Sequence, residues 1–310
     1  MQTEVFPRDA IAGKEARKER KRGRNDWAWA LLFLGPNLAL FLIFTAFPVL
    51  YGLYMSFFKW NIVGAPQFTG LANYARFFSD PLTPQLARNS LYFLVGSVIP
   101  IVVLSLLIAV LLNAVTRFTS FWRGIYFLPL VTSPVAAAAI WRWLYAKDSG
   151  LVNFFVTRIG APPQDWLYSI TWAMPALIVV TIWTSLPFNT ILYLAGLQEI
   201  PKDLYEAAEI DGASGFQQFR SITLPLITPT TFFVLLTTIV HVLFGSFDIV
   251  NVMTQGGPLN ETNTFIYNIY QNAFQFFQFG YASAQAYIIF VVVFVFTLMN
   301  WRLQRKWVHY

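Results

Sequence analysis

Residues 206 to 225 read Glu206-Ala207-Ala208-Glu209-Ile210-Asp211-Gly212-Ala213-Ser214-Gly215-Phe216-Gln217-Gln218-Phe219-Arg220-Ser221-Ile222-Thr223-Leu224-Pro225, a polar insert between two long apolar stretches. Pro201 can open a helix here, and Asp203, Glu206 and Glu209 suit the positive amino-terminal end of that helix. Ala207, Ala208 and Ile210 keep one face small and apolar, Gly212 and Gly215 allow a sharp exit, and Phe216 and Phe219 can anchor in a partner's groove. The chemistry on offer is docking. Nucleotide hydrolysis on this chain is excluded, because no Gly-x-x-x-x-Gly-Lys-Ser/Thr phosphate loop is present. With no cysteine and two histidines, thiolate metal sites and disulfides are out, and an intramembrane hydrolase lacks its nucleophile and base.

A second set of polar residues lies inside the apolar stretches. Asp248 is the one acid of fifteen placed within such a stretch, where a carboxylate is costly unless paired or facing water. His241, Gly245 and Asp248 recur at i, i+4 and i+7, a single helical face beside Ser246 that could line a polar path. The alternative is that Asp248 caps or pairs at the interface with Arg142, and that His241 is a bonded packing residue. Around Pro187, the residues Thr181, Thr184, Ser185, Phe188 and Asn189 form a polar and aromatic cluster, suited either to solute contact or to hydrogen bonds between helices.

These residues need membrane elements to hold them. The 310 residues are 56% hydrophobic and 12% charged, with a mean hydropathy of +0.53, which places the chain among membrane proteins. Six stretches reach the ~20 residues that cross a bilayer as helix: Trp29 to Phe57, Ser90 to Leu112, Gly124 to Trp143, Ala173 to Leu197, Leu224 to Val250 and Ala284 to Trp301. The expected class is all-α, a polytopic helical bundle. With the amino terminus inside, fifteen of the twenty-one Lys and Arg residues fall inside and six outside, so both termini and the Glu206 loop are expected in the cytoplasm. Residues 1–27 read as a basic cytoplasmic tail near anionic membrane lipid, without the pattern of a cleaved signal, and residues 28–310 as the membrane domain with its loop at 198–223. The net charge of +6 sits at span ends and forms no aromatic-interleaved face, so no nucleic-acid partner is expected.

The Glu-Ala-Ala, Asp-Gly-Ala and Ile222-x-Leu224-Pro225 elements together resemble the cytoplasmic coupling loop of binding-protein-dependent ABC importer permeases. Phe247-Asp248-Ile249-Val250, Thr254-Gln255-Gly256-Gly257-Pro258 and Gly280-Tyr281-Ala282 resemble the carboxy-terminal half of carbohydrate permeases of the maltose and glycerol-phosphate type. Pro36, Phe47-Pro48 and Gly70-Leu71-x-Asn73-Tyr74 extend the likeness to all but the first 25 or so residues. The resemblance implies a type I ABC importer permease fold with six transmembrane helices, in a bacterial or archaeal cytoplasmic membrane. It implies that Glu206 makes the polar contact with an ATPase subunit, that Ala207, Ala208 and Gly212 permit close approach, and that Asp211, Ile222, Leu224 and Pro225 complete the docking element. The implied partners are a homologous second permease, an ATP-binding cassette ATPase dimer that uses ATP and Mg, and an extracytoplasmic solute-binding protein; no cofactor is expected on this chain. The implied cargo is a sugar or polyol, with Thr184, Ser185, Phe188, Asn189, His241, Ser246 and Asp248 as candidates along its path. An ion-coupled secondary transporter is the competing class, and it would need more intramembrane ionisable groups than Asp248 and His241.

Overall fold

The computed structural model describes residues 27, 29–61, 64–114, 124 and 126–307. The expected basic tail thus lies outside the described residues apart from Trp27. The chain divides into two compact units, residues 1–55 and 56–310. The described part of the first unit is in essence one apolar helix, α1 (Trp29–Ser56), which widens into a π turn at Leu42–Ala46. Proline at position 48 lacks an amide hydrogen and its ring crowds the carbonyl four residues back, and a widened turn just before it relieves that crowding.

The second unit begins with a two-residue antiparallel ribbon, β1 (Phe58–Lys59) and β2 (Gln67–Phe68), in which Phe58 faces Phe68 and Lys59 faces Gln67. A short helix α2 (Ala72–Ser79) leads into α3 (Thr83–Ala114), which runs unbroken through Pro100. Next come α4 (Pro134–Leu144), α5 (Leu151–Arg158) and the buried α6 (Ala173–Gln198). After α6 a hairpin of short helices, α7 (Lys202–Ile210) and α8 (Gly215–Gln218), leads through a π turn at Phe219–Thr223 and the one-turn α9 (Leu224–Leu226) into α10 (Thr228–Met253). That π turn again ends two residues before a proline, Pro225. The chain closes with α11 (Phe265–Tyr270), a π turn at Gln271–Gln275 and α12 (Phe279–Trp307).

Among the described residues five helices, α1, α3, α6, α10 and α12, are long and apolar enough to cross a membrane. They match the expected first, second, fourth, fifth and sixth spans, with α3 and α12 starting earlier than anticipated. The expected third span, Gly124 to Trp143, folds differently: a 3-10 turn at Leu128–Val131 gives way to extended Ser133, and helix resumes with Pro134 at its first position. A residue before proline is driven out of the helical region, which breaks the span there.

Two apolar clusters hold α3, α6 and α10 together. One joins Phe93 and Ile101 of α3 to Leu177 and Val180 of α6 and Val242 and Ile249 of α10. The other joins Ala109 to Tyr193, Leu197, Ile200, Ile227 and Val234, next to the hairpin. The far end of α10, about 39 Å away at 1.5 Å per residue, meets a tightly bonded loop. There Asn89 Nδ2 donates to the carbonyls of Asn260 (2.7 Å) and Asn263 (3.1 Å), Gln85 donates to the Leu259 carbonyl, and Arg88 pairs with Glu261 at 2.6 Å. Leu259 and Asn260 adopt positive φ in that loop, where Gln85 and Asn89 bond to their carbonyls; Gln255 does so at its start, its N–H donating to the Val250 carbonyl at 2.7 Å.

Candidate functional site

The α7–α8 hairpin is built by its caps. Asp203 sits in the first turn of α7, and the helix ends with Ala213 N–H donating to the Ala208 carbonyl (2.9 Å) and Gly212 N–H to the Glu209 carbonyl (3.0 Å). This pair of bonds is a Schellman closure, and it requires the residue after the cap to be left-handed; Gly212 supplies φ +76°. Ser214 then opens α8 with a capping box: its hydroxyl accepts from Gln217 N–H, and the Gln217 side chain accepts from Ser214 N–H at 2.7 Å. Gly215 carries no positive φ, so the sharp exit rests on Gly212 and Ser214.

The hairpin has an inner and an outer face. Inward, Tyr205 and Ile222 pack against the Tyr193, Leu197, Ile200 and Ile227 cluster, and the hydroxyls of Tyr205 and Thr223 bond at 2.9 Å. Outward, Glu206, Ala207, Asp211, Leu224 and Pro225 are exposed, and so are Ile210 at 87% and Phe216 at 71%; Ala208 and Phe219 are half-buried. Open apolar side chains beside a carboxylate have a composition suited to docking. Directly behind them α6 and α10 touch at Gly196, where an added Cβ would come within 2.9 Å of the Ile227 side chain and would also meet Thr230.

The polar cluster on α6 divides. Asn189 is buried; its Nδ2 donates to the Ser185 carbonyl (2.9 Å) and its Oδ1 accepts from the Thr238 hydroxyl on α10 at 3.0 Å, a bond between helices. Ser185 is buried with it, whereas Thr184 is half-buried, its hydroxyl donating to the carbonyls of Val180 and Thr181, and Phe188 is 49% exposed. On α10, His241 is exposed and Asp248 half-buried. The interfacial pair considered for Asp248 does not form: Arg142 donates to the Val252 carbonyl at 3.2 Å, and the one ion pair among the described residues is Arg88 with Glu261. Ser246 faces the interior, where its hydroxyl donates to the Leu243 carbonyl beside a cavity of about 10 Å³ that also borders Ser90 and Thr264. The seven path candidates therefore split into accessible Thr184, Phe188, His241 and Asp248, and enclosed Ser185, Asn189 and Ser246.

Residues 71–308 match the family model for the inner membrane component of binding-protein-dependent transport systems. The chain belongs to that family. The permease is 32% identical over 280 residues to the sn-glycerol-3-phosphate transport system permease protein UgpA of Agrobacterium fabrum, covering 90% of this chain and 95% of that one. It is 33% identical to the probable ABC transporter permease protein YesP of Bacillus subtilis, over 96% of this chain and 97% of the relative. Among solved structures, a bacterial ABC transporter involved in the import of the acidic polysaccharide alginate superposes with a TM-score of 0.82 at 26% identity, over 93% of this chain and 99% of its own. The same kind of transporter, in complex with a periplasmic protein bound to an alginate pentasaccharide, gives 0.81 at 26% identity, over 92% and 96%. The chain is thus a multi-pass membrane permease subunit of an ABC transporter, and a secondary carrier is not favoured.

The permease also contains polar groups that the sequence reading passed over. Asn268, Asn272 and Gln285 form a closed amide network: Asn272 Nδ2 donates to Asn268 Oδ1 (2.9 Å) and Gln285 Oε1 (3.1 Å), and Gln285 Nε2 donates to Asn268 Oδ1 (3.0 Å), all buried. It joins α11 to α12. The i, i+4 spacing of Asn268 and Asn272 in an aromatic-rich segment was the available signal. Beside it Arg76 lies 4.0 Å over the Tyr281 ring and donates to Gln278 Oε1 at 2.7 Å, while the Tyr281 hydroxyl donates to Asp80 at 3.2 Å.

Proposed function

We propose that this permease moves a sugar or related polyol inward across a bacterial or archaeal cytoplasmic membrane, with ATP and Mg used by a separate ATPase dimer docked on the α7–α8 hairpin. The observation that carries the reading is the exposed row of Glu206, Ala207, Ile210 and Phe216 on a hairpin whose inner face is packed directly on the contact between α6 and α10. A push on the hairpin reaches both helices through Tyr205, Ile222 and Ile227, so docking and helix movement are mechanically one event. Both termini and the hairpin lie in the cytoplasm, residues 1–27 as a basic tail and 198–223 as the coupling loop. The ribbon and the loop of residues 254–264 lie on the outer side, where a solute-binding protein delivers its cargo. A homologous second permease completes the path, to which accessible Thr184, Phe188, His241 and Asp248 contribute, and this chain binds no cofactor itself. The relatives named for glycerol phosphate and for a polysaccharide support a polyhydroxylated cargo.

Reconstitution tests this reading. The complete complex with its binding protein takes up sugar only with ATP, and Glu206→Ala and Gly212→Asp leave the chain in the membrane while weakening ATPase association or uncoupling hydrolysis from uptake. Glu206 in a desolvated charge-assisted contact is worth about 1.5–3 kcal/mol, and loss of that contact lowers ATPase affinity roughly 10- to 100-fold. Normal ATPase recruitment and normal solute-stimulated uptake in both variants would sink the coupling assignment.

A further inference from the structure

A cavity of about 330 Å³ opens where the ribbon, α2 and the start of α12 meet, and its wall includes Lys59, Trp60, Asn61, Arg76, Gln278 and Tyr281. That volume is at the lower end of the ~300–1,000 Å³ of small-molecule sites. Two cations line it and no acid does. Neither cation forms an ion pair, the one pair among the described residues being elsewhere; the Asp80 carboxylate accepts from the Tyr281 hydroxyl and is not part of the wall. Arg76 is held in place by the Gln278 side chain and the Tyr281 ring, with guanidinium donors left over, while Lys59 is exposed. The third component is aromatic. Trp60 packs on Phe279 (5.6 Å between ring centres), Phe279 on Phe274 (5.9 Å), Phe274 on Tyr270 (5.4 Å) and Tyr270 on Phe247 (4.8 Å), a continuous tier of rings leading from the cavity to the residue before Asp248 on α10.

We infer that this cavity is a receiving site for an acidic sugar, with the oxyanion, a carboxylate or phosphate, between Lys59 and Arg76 and the sugar ring against Trp60. The inference rests on the carbohydrate-import reading above and narrows it to an acid-bearing cargo. A guanidinium fixed in orientation and an exposed ammonium are suited to a tetrahedral or trigonal oxyanion. The apolar C–H face of a pyranose matches an aromatic plane, and the tier of rings offers that face successive platforms toward α10. An anionic lipid headgroup presents the same oxyanion without the pyranose.

The test is equilibrium binding of labelled glucuronate and glucose to the full chain in phosphatidylcholine nanodiscs, with inorganic phosphate as competitor. Glucuronate is expected to bind at least tenfold tighter than glucose and to be displaced by phosphate. Lys59→Gln is expected to weaken glucuronate at least fivefold and Lys59→Arg to restore it. Trp60→Ala is expected to weaken glucuronate while phosphate still competes at its original concentration. Arg76→Gln also disturbs Tyr281, so the Lys59 pair decides the case. Equal binding of the two sugars, or unchanged affinity in Lys59→Gln, overturns the inference. Displacement of glucuronate by phosphatidylglycerol placed in the nanodisc assigns the site to a lipid headgroup and overturns the solute. ATP-dependent uptake of a neutral sugar by the complete complex, with no glucuronate binding, removes the site and leaves the carbohydrate reading intact; glucuronate binding with no sugar uptake removes the latter alone.

Discussion

Asn189 and Gly196 show how much single positions decide in this permease. The Asn189–Thr238 bond is the buried polar link between α6 and α10, and removing one partner leaves the other without its bond inside an apolar contact. Thr238→Val is therefore expected to cost roughly 1 kcal/mol, since hydrogen bonds between membrane helices average about 0.6 and rarely exceed about 1.7 kcal/mol. Thermal unfolding of the solubilised chain measures this, and an unchanged midpoint would mean the bond contributes nothing. At Gly196 the effect is steric. Gly196→Val drives atoms into Ile227 and Thr230, an overpacking of about 1–3 kcal/mol, and should separate the helices just behind the α7–α8 hairpin. The expected result is normal membrane insertion with reduced ATP-driven uptake; Gly196→Val with wild-type uptake would show that this contact can widen freely. Thr184 and Phe188, which stay accessible, are the α6 positions at which Ala substitutions should alter solute selectivity in uptake assays with the complex intact.

At the scale of elements, the helices were legible where one physical cause dominates. Long apolar runs gave α1, α3, α6, α10 and α12, because a helix is the form in which a lipid-exposed segment satisfies its own backbone. Composition marks Gly124 to Trp143 as long and apolar enough to cross, but it reports hydrophobicity and not the break that Pro134 imposes on Ser133. The α7–α8 hairpin was readable as a helix with a glycine exit, whereas its Ser214 capping box is signalled only by Ser-x-x-Gln. In the network of Asn268, Asn272 and Gln285 the i, i+4 pair is visible along the chain, but its closure by Gln285 of α12 is not, because only the tertiary fold brings that residue to the other two. Ser214→Ala removes one bond of the cap and should cost about 0.5–2 kcal/mol locally, read as faster hydrogen exchange at Gly215 to Gln217 than in the wild type. Equal exchange rates would mean the partner-free hairpin is held by Tyr205 and Ile222 instead.

At the scale of the whole molecule, the topology proposed from Lys and Arg can be tested without first removing native thiols, because the chain has no cysteine. A cysteine at Asn260 is expected to react with an impermeant reagent from outside and one at Ser214 only from the cytoplasm; the reverse pattern would invert the molecule. The described part of the fold holds together mainly through apolar packing and hydrogen bonds with few charged members: Arg76 donates to Gln278, Arg142 to a backbone carbonyl, and Arg88 and Glu261 form its one ion pair, partly exposed. Ionic strength should therefore leave the subunit's own stability nearly untouched, because an exposed pair contributes at most about 1 kcal/mol and salt screens little else. Adding salt to the working transporter then perturbs the contacts between subunits and leaves the subunit itself in place. A salt titration of uptake becomes a probe of charges beyond the fold itself, in which a loss of rate without a loss of fold reports the charged contacts that this permease makes with its partners and its cargo.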